Sequence, residues 1–458
     1  MQEELRTTTF PDPRTLPEVR PPLLSRLNAR GIRLLQPADA VALFTSMVLI
    51  NLARFGLEWP TYPLSHYIVG FSMATAVCLA VFYFGGLYER EAGLGSRPRL
   101  PRIMAMVGLA VLICGGLALV TGRYLMPRIN LAVLFMVGSF AVAANRRVAR
   151  WLRVRREGLP RLLLVGAPDE VNLARKHLDS VNDWVIAGEA ADAEDLLDRV
   201  EATGASDILV LSSRLLPDLY PEPLTSLEQR GVGLLQVVSA RDSLLGLQNV
   251  REMAGMPVVA LFSHVMPRSQ LRLKRVLDLV LLLAIAPVAV PLLALLALYV
   301  RIVAGSPVLY RQERVGQDGR RFRIVKFRTM IPDAEAHTGA VLSERDDPRI
   351  VPALRWLRAM RLDELPQLWN VLAGEMSIVG PRPERPELAD RFAVLIPGYA
   401  RRHEVPPGIT GLAQVHGRYH TDPEYKLGHD IQYLVNWSAV MDLQILLRTV
   451  WVVLARRL

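Results

Sequence analysis

The chain has 458 residues, of which 51% are hydrophobic, and its formal net charge is +10. This apolar content excludes a disordered or low-complexity protein. Both cysteines, Cys78 and Cys114, lie within apolar segments, which excludes a disulfide scaffold. The charge is divided unevenly: residues 1–160 carry +10, residues 161–260 carry −8 and residues 261–458 carry +8. We therefore expect three regions with different partners.

The first region predicts a membrane part. A polar, arginine-rich tail over 1–37 shows no cleavable signal peptide, and 38–156 contains four long apolar stretches. Each stretch is close to the ~20 residues that a helix needs to cross a bilayer. Arginines concentrate in the tail, in the middle loop and over 146–156, so both ends of this predicted four-helix bundle lie in the cytoplasm. The stretches are 38–56, 66–87, 103–121 and 128–145.

A fifth apolar stretch is harder to interpret. Residues Leu279–Val300 are 22 uncharged residues, but Pro287 and Pro291 lie near their middle. A proline inside a helix removes a backbone hydrogen bond and bends the axis. A fifth crossing would place 301–458 outside the cell, whereas a re-entrant hairpin would keep them inside. Composition alone leaves both topologies open.

The acidic region over 160–255 alternates short apolar runs with polar helical stretches, beginning with RLLLVG at 161–166. This β-α-β-α-β order predicts a parallel, doubly wound sheet. Only Gly166 occupies the first turn, where a dinucleotide fingerprint needs several glycines, and Asp169 and Glu170 would repel a phosphate. A degenerate Rossmann-like domain with a structural or regulatory role is favoured over a cofactor site.

The last region, 270–458, contains the segments that indicate chemistry. In RQERVGQDGRRFRIVKFRTM (311–330), a turn from Gly316 to Gly319 joins two strands, and the second strand is basic. Its cations could line an anion-binding surface, although a solvated strand face is the plainer alternative. They are Arg321, Arg323, Lys326 and Arg328.

Two carboxylates, Asp363 and Glu364, begin a predicted amphipathic helix in LRAMRLDELPQLWNVLAGEMS (357–377). Asp363 is placed as its N-cap and Gly374 as its stop. Adjacent helical residues point about 100° apart, so the pair suits two roles, a nucleophile and a group for metal or proton handling. A capping Asp beside an exposed Glu is the alternative. The apolar stripe is Leu365, Leu368, Trp369 and Leu372.

Three further segments follow. Arg382 lies between Pro381 and Pro383, which limit its mobility and suit rigid contact with a phosphate. The turn-rich PPGITGLAQVHGRY (406–419) is predicted to border an active site. The apolar C-terminus, 437–458, ends in two arginines and predicts an interfacial amphipathic helix rather than a sixth crossing.

The ordered set of motifs resembles the bacterial polyprenyl-phosphate sugar phosphotransferases, the monotopic phosphoglycosyl transferases. The motifs are KRVLD…P (274–287), RQERVG…FRIVKFRTM (311–330), RLDELPQLWNVLAGEMSIVGPRPE (361–384) and PPGITGLAQVHGR (406–418). The four apolar stretches and the middle domain resemble the large members of that family, such as undecaprenyl-phosphate glucose or galactose phosphotransferases.

The resemblance implies a re-entrant membrane helix over 276–300 and an α/β catalytic domain on the cytoplasmic face of the bacterial inner membrane. It implies that Asp363 attacks the β-phosphate of a UDP-sugar, releasing UMP, and that undecaprenyl phosphate then takes the phosphosugar from the carboxylate. This reaction initiates exopolysaccharide, capsule or O-antigen synthesis. The family also implies a homodimer and leaves no need for nucleic acid as a partner.

The resemblance further implies that Lys326, Arg358 and Arg382 hold phosphates, and that Mg²⁺ binds near Glu364 and Asp363. Three positions depart from the family pattern, one of them mildly, where Glu375 replaces a common Asp. Ala286 replaces a serine at the break of the re-entrant helix, and Arg361 stands where a small hydroxyl residue is common.

Two other functions compete with this one. A membrane-bound nucleotide-sugar dehydratase would need a glycine-rich turn and a Tyr-x-x-x-Lys pair, and neither occurs. A membrane scaffold that binds anionic lipid through its basic regions would release no UMP.

Overall fold

The computed structural model describes residues 35–57, 63–88, 100–121, 127–181, 183–219, 222–239, 251–261, 266–331, 347–416 and 422–454. The chain divides into two compact units, residues 1–82 with 103–147 and residues 83–102 with 148–458. The described residues do not include the predicted tail up to residue 34, the loop arginine Arg123, or the C-terminal Arg456 and Arg457.

Four long helices follow the predicted apolar stretches, and each is long and apolar enough to cross a membrane. The last of them continues past the predicted end at residue 145, through the arginine-rich segment. The helices are α1 (Leu35–Phe55), α2 (Leu64–Phe84), α3 (Leu100–Thr121) and α4 (Arg128–Glu157).

Buried polar side chains join α1 to α4 within the first unit. The Arg146 guanidinium contacts the Asp39 carboxylate at 2.9 Å, with both side chains buried. Nearer the opposite ends of the two helices, the Asn130 amide donates to the Asn51 Oδ1 at 2.9 Å. Because unsatisfied polar groups are costly in hydrocarbon, each pair fixes these helices side by side.

The middle domain contains the predicted parallel series. Its sheet has the strand order β2-β1-β3-β4-β6-β5, in which the first four strands are parallel and β6 runs antiparallel to its neighbours. On β1, Leu162 and Leu164 pack into one apolar cluster while Leu163 and Val165 pack into another, so both faces of the sheet are covered. The elements are β1 (Arg161–Val165), α5 (Pro168–Leu178), β2 (Val185–Ala190), α6 (Leu196–Thr203), β3 (Asp207–Val210), α7 (Leu216–Leu219), α8 (Leu224–Gln229), β4 (Gly233–Val237), β5 (Arg251–Met253) and β6 (Met256–Leu261).

The turn after β1 is closed by a carboxylate. Glu170 reaches back to accept a hydrogen bond from the Ala167 N–H at 3.1 Å. A Cβ added at Gly166 would lie 2.9 Å from this carboxylate and 2.9 Å from Leu211. Negative charge therefore occupies the helix start where doubly wound folds receive a phosphate.

The remaining elements form the C-terminal part of the chain. As predicted, a turn from Gly316 to Gly319 joins two antiparallel strands, and β9 and β10 form a separate parallel pair. The elements are α9 (Arg268–Ala304), β7 (Leu309–Val315), β8 (Arg321–Phe327), α10 (Arg355–Ala359), a 3₁₀ helix (Leu362–Gln367), α11 (Leu368–Ala373), β9 (Ser377–Val379), α12 (Pro386–Leu395), a second 3₁₀ helix (Tyr399–Glu404), β10 (Gly408–Thr410), α13 (Leu412–His416), α14 (Pro423–Asn436) and α15 (Ala439–Leu454).

The fifth apolar stretch is one helix, α9, of 37 residues with both prolines inside it. Near its start, the buried Lys274 ammonium contacts the Asp442 carboxylate of α15 at 2.8 Å. Near its end, the Tyr299 hydroxyl donates to the Ala353 carbonyl at 2.9 Å. Both ends of α9 therefore contact the same C-terminal part, and most side chains between them are exposed.

Candidate active site

The two predicted carboxylates lie on the 3₁₀ helix Leu362–Gln367, and both are buried, with 8% of Asp363 and 6% of Glu364 exposed. The sequence predicted Asp363 as the N-cap of an α-helix. This prediction is wrong, because α11 begins only at Leu368. Pro366, which has no backbone N–H to donate, lies inside this 3₁₀ helix. The pair is thereby packed into the domain rather than presented at a helix end.

Three cations converge on one oxygen of Glu364. Its Oε1 lies 2.9 Å from the Lys326 Nζ, 3.0 Å from an Arg382 guanidinium nitrogen and 3.4 Å from one of Arg361. Burial alone would raise the pKa of Glu364, but Arg382, Lys326 and Arg361 together hold it well below its ordinary value. Glu364 is therefore a fixed negative charge at neutral pH.

Asp363 has the opposite environment. Its Oδ1 is buried and has no hydrogen-bond partner among the described residues. Burial, and then the neighbouring Glu364 charge, raise the pKa of Asp363 to about 6, against the lowering effect of Lys326 and Arg358. An ionised carboxylate with an unpartnered, poorly solvated oxygen is suited to nucleophilic attack.

Packing of the backbone fixes the loop that carries Arg382. A Cβ added at Gly380 would lie 2.5 Å from the Pro406 carbonyl oxygen, so only glycine fits between this loop and the segment before β10. On the other side, Arg314 donates to the Pro383 carbonyl at 3.0 Å. The predicted PPGIT motif thus supports the Arg382 loop through close contact between backbones.

A buried network that the sequence reasoning missed also supports this loop. Arg402 donates to the Arg382 carbonyl at 3.0 Å and contacts the Asp430 carboxylate of α14 at 2.8 Å. It also donates to the Tyr399 hydroxyl at 2.5 Å, and burial raises the pKa of that tyrosine to about 12. The available signal was an arginine four residues before the PPGIT motif, whose partner lies 28 residues further along the chain.

The sequence predicted one basic surface along β8. This prediction is wrong, because its four cations do not lie together on one surface. Along a strand, side chains alternate between faces, and Arg321 and Arg323 are exposed on the face opposite to Lys326. Arg328 is buried and donates to the Ala304 carbonyl at the end of α9. Lys326 thus contacts the carboxylate of Glu364, whereas Arg328 contacts the end of α9.

The remaining predicted cation, Arg358, is half-buried on α10 and lies close enough to lower the pKa of Asp363. The site therefore assembles two carboxylates with cations from four segments of the chain. The segments are β8, α10, the turn between α10 and the 3₁₀ helix, and the Arg382 loop.

The site offers few protein ligands for a divalent metal ion. Among the described residues, no group of three His, Cys, Asp or Glu side chains could hold a metal ion. Asp363 and Glu364 still supply carboxylate oxygens, one of them unpartnered. Mg²⁺ is commonly held by one or two carboxylates together with substrate phosphates and water. The two carboxylates could therefore supply some of the ligands of a Mg²⁺ ion, with substrate and water supplying the rest.

These features define a membrane protein whose C-terminal part, an α/β fold, buries an Asp-Glu pair among cations. The sequence profile of the family described as bacterial sugar transferase matches residues 269–456. A relative from Caulobacter vibrioides, named UDP-glucose:undecaprenyl-phosphate glucose-1-phosphate transferase, is 43% identical over 182 residues, which cover 39% of this chain and 68% of that protein. The chain belongs to this family of polyprenyl-phosphate sugar phosphotransferases.

Two other relatives share the C-terminal region. A protein of the same name from Klebsiella pneumoniae is 38% identical over 205 residues, 44% of each chain. A UDP-N-acetylgalactosamine-undecaprenyl-phosphate N-acetylgalactosaminephosphotransferase from Aeromonas hydrophila is 39% identical over 185 residues, 40% of this chain and 44% of that protein. The similarity therefore spans less than half the length of these two relatives.

Proposed function

We propose that the chain transfers a sugar 1-phosphate from a UDP-sugar to undecaprenyl phosphate and releases UMP. The observation that carries the proposal is the pairing of Asp363, with its unpartnered buried oxygen, and Glu364, which three cations hold ionised. The names of the relatives support the two substrates. Glucose and galactose are the proposed sugars.

In the first step, an Asp363 carboxylate oxygen attacks the phosphorus that bears the sugar. A bond forms between this oxygen and the phosphorus, and the bond from that phosphorus to the oxygen bridging the two phosphates breaks. The bridging oxygen keeps the electron pair and leaves as part of UMP. The product is a phosphosugar held on Asp363 as an acyl phosphate.

In the second step, a phosphate oxygen of undecaprenyl phosphate attacks the same phosphorus. The bond from phosphorus to the Asp363 oxygen breaks, which restores the carboxylate and yields the lipid diphosphosugar. Lys326, Arg358 and Arg382 stabilise the negative charge that develops on the phosphoryl oxygens. Glu364 orients two of these cations, Lys326 and Arg382, through its Oε1.

Mg²⁺ is part of this proposal, with Asp363 and Glu364 as its protein ligands. When bound, it would offset the charge of the substrate diphosphate. Lys326 and Arg382 already lie within 3.0 Å of Glu364. Asp363 Oδ1, which has no hydrogen-bond partner among the described residues, is therefore the oxygen that we assign to the metal.

We also propose that α9 is the re-entrant helix and that the domain lies on the cytoplasmic face of the inner membrane. Lys274 and Tyr299 join opposite ends of α9 to one folded part, whose buried charges cannot lie in hydrocarbon. We therefore propose that both ends of α9 lie on the same side of the bilayer. Pro287 and Pro291 provide the place for the helix to bend.

Exposed apolar side chains beside the site support contact with lipid. On α11, Trp369 and Leu372 are 67% and 53% exposed, so this half of the predicted apolar stripe does not face the core, whereas Leu365 packs against an apolar cluster. On α15, Val440, Leu443 and Leu447 are exposed along one stripe. Such patches mark membrane or protein contacts, and we assign both to the bilayer interface.

A cysteine-labelling experiment tests the topology. Leu57 and Glu313 are exposed, and the proposal places Leu57 in the periplasm and Glu313 in the cytoplasm. In intact cells, a membrane-impermeant thiol reagent should label Leu57→Cys and leave Glu313→Cys unlabelled. Labelling of Glu313→Cys without cell lysis would contradict the re-entrant arrangement.

The function is tested by UMP release from a panel of UDP-sugars in the presence of undecaprenyl phosphate. We expect release with UDP-glucose or UDP-galactose, loss of release in Asp363→Asn, and normal release in Glu313→Gln, whose side chain is exposed on β7 away from the carboxylates. A wild-type chain that releases no UMP from any UDP-sugar would contradict the proposal. A homodimer and a role in initiating polysaccharide synthesis are further predictions.

A further inference from the structure

Arg361 has an unusual backbone for a residue with a side chain. Its φ of 56° and ψ of 18° lie in the left-handed region, which glycine adopts freely and other residues rarely do. Its N–H donates to the Arg358 carbonyl at 3.0 Å, and its carbonyl accepts from the Glu364 N–H at 3.2 Å. Backbone preference alone would favour glycine or asparagine at this turn, so the arginine side chain itself is the feature to explain.

The Arg361 guanidinium makes the longest of the three cation contacts to Glu364. Its nitrogen lies 3.4 Å from Oε1, near the limit for a hydrogen bond, whereas Lys326 and Arg382 approach to 2.9 and 3.0 Å. The two shorter contacts already hold Glu364 ionised. Of the three contacts with Glu364, the one made by Arg361 is therefore the weakest and the easiest to replace.

Arg361 is also accessible while the carboxylates are not. Its side chain is 26% exposed, against 8% for that of Glu364. Its charge acts on the nucleophile as well, since Arg361 is among the groups that lower the pKa of Asp363. The guanidinium thus lies within electrostatic reach of both carboxylates and is partly exposed.

We propose that Arg361 binds the diphosphate of the nucleotide-sugar, exchanging its long contact with Glu364 for phosphate oxygens. A planar guanidinium can donate two parallel hydrogen bonds to a phosphate, which a single ammonium cannot do. This inference rests on the proposed function, because that function supplies the UDP-sugar. It adds a binding residue on the turn that directly precedes the nucleophile.

Substitution by Gly or Asn provides a test that separates binding from folding, because both residues tolerate the left-handed region. In the full chain in detergent micelles, Arg361→Gly and Arg361→Asn should weaken UDP binding, measured by calorimetry, about tenfold. The KM for the UDP-sugar should rise by a similar factor with a smaller change in kcat. The melting temperature should stay level or rise. Arg355→Ala, on the exposed face of α10, is the matched control and should keep wild-type UDP affinity.

Arg361→Lys keeps the charge but not the planar fork, and we expect an intermediate UDP affinity. If UDP affinity and KM in Arg361→Gly and Arg361→Asn stay within twofold of wild type, the inference is wrong, even if kcat falls. A fall in kcat alone would show that Arg361 only positions Glu364. A wild-type chain that neither binds UDP nor releases UMP would instead contradict the proposed function, and the inference with it.

Discussion

Replacing Lys326 by Met removes a buried cation from Glu364 while nearly preserving side-chain volume. The lysine lies 2.9 Å from Oε1, with 17% of its side chain and 8% of the glutamate side chain exposed. Breaking a buried ion pair on one side costs about 3–5 kcal/mol, and we expect the lower end here because Arg382 stays 3.0 Å from the same oxygen. For a domain of about 190 residues, a loss of about 3 kcal/mol lowers the melting temperature by about 6–12 °C.

The assay is thermal unfolding of the detergent-solubilised chain, followed by intrinsic fluorescence. Arg323→Met is the matched control, because Arg323 lies on the same strand but is exposed on its opposite face. The double variant Lys326→Met with Glu364→Gln should recover part of the lost stability, because it removes the buried Glu364 charge, and Arg361 and Arg382, which lose their contact with it, are partly exposed. Equal melting temperatures for Lys326→Met and Arg323→Met, or no recovery in the double variant, would refute the reasoning.

Three further predictions follow from the site and its supports. Because Asp363 must be ionised to attack and its pKa is about 6, kcat/KM should rise as the pH increases through about 6; a profile flat from pH 5 to 8 would contradict this. Arg328→Ala should lower the melting temperature without changing the KM for the UDP-sugar, because Arg328 contacts the end of α9 rather than the carboxylates. Arg402→Lys should lower kcat, because an ammonium cannot replace the guanidinium that donates to the Arg382 carbonyl, and circular dichroism should show an intact fold. An unchanged kcat would contradict that role.

Much of the fold could be predicted from local sequence. The apolar stretches gave the long helices, and the alternation of short apolar runs gave the parallel strands of the middle domain, because length and periodicity are local properties. The strands β5 and β6 were not predicted, since their direction is set by pairing: β6 pairs antiparallel with β4, and β5 pairs antiparallel with β6. The α-helix expected from Asp363 was wrong, because the same residue pattern also fits the tighter 3₁₀ turn that the chain forms over Leu362–Gln367, and the α-helix begins only at Leu368.

The site was only partly accessible to sequence reasoning. Motifs identified the Asp-Glu pair, Lys326 and Arg382. They did not show that both cations contact one oxygen of Glu364, because Arg382 is 18 residues and Lys326 38 residues away from it in the chain. Arg328 looked equivalent to Lys326 by composition, and only its contact with Ala304 separates the two. Arg402 was missed because its role depends on a partner, Asp430, that no local pattern connects to it.

The central claim is that Asp363 carries a covalent phosphosugar. The most direct measurement is to mix the full chain with a UDP-sugar that it turns over, in the absence of undecaprenyl phosphate, and to record UMP release and the intact protein mass. We predict a single equivalent of UMP and a protein heavier by one phosphosugar, with the adduct on Asp363 and neither signal in Asp363→Asn. UMP release that requires undecaprenyl phosphate, with no mass change in the protein, would contradict the account.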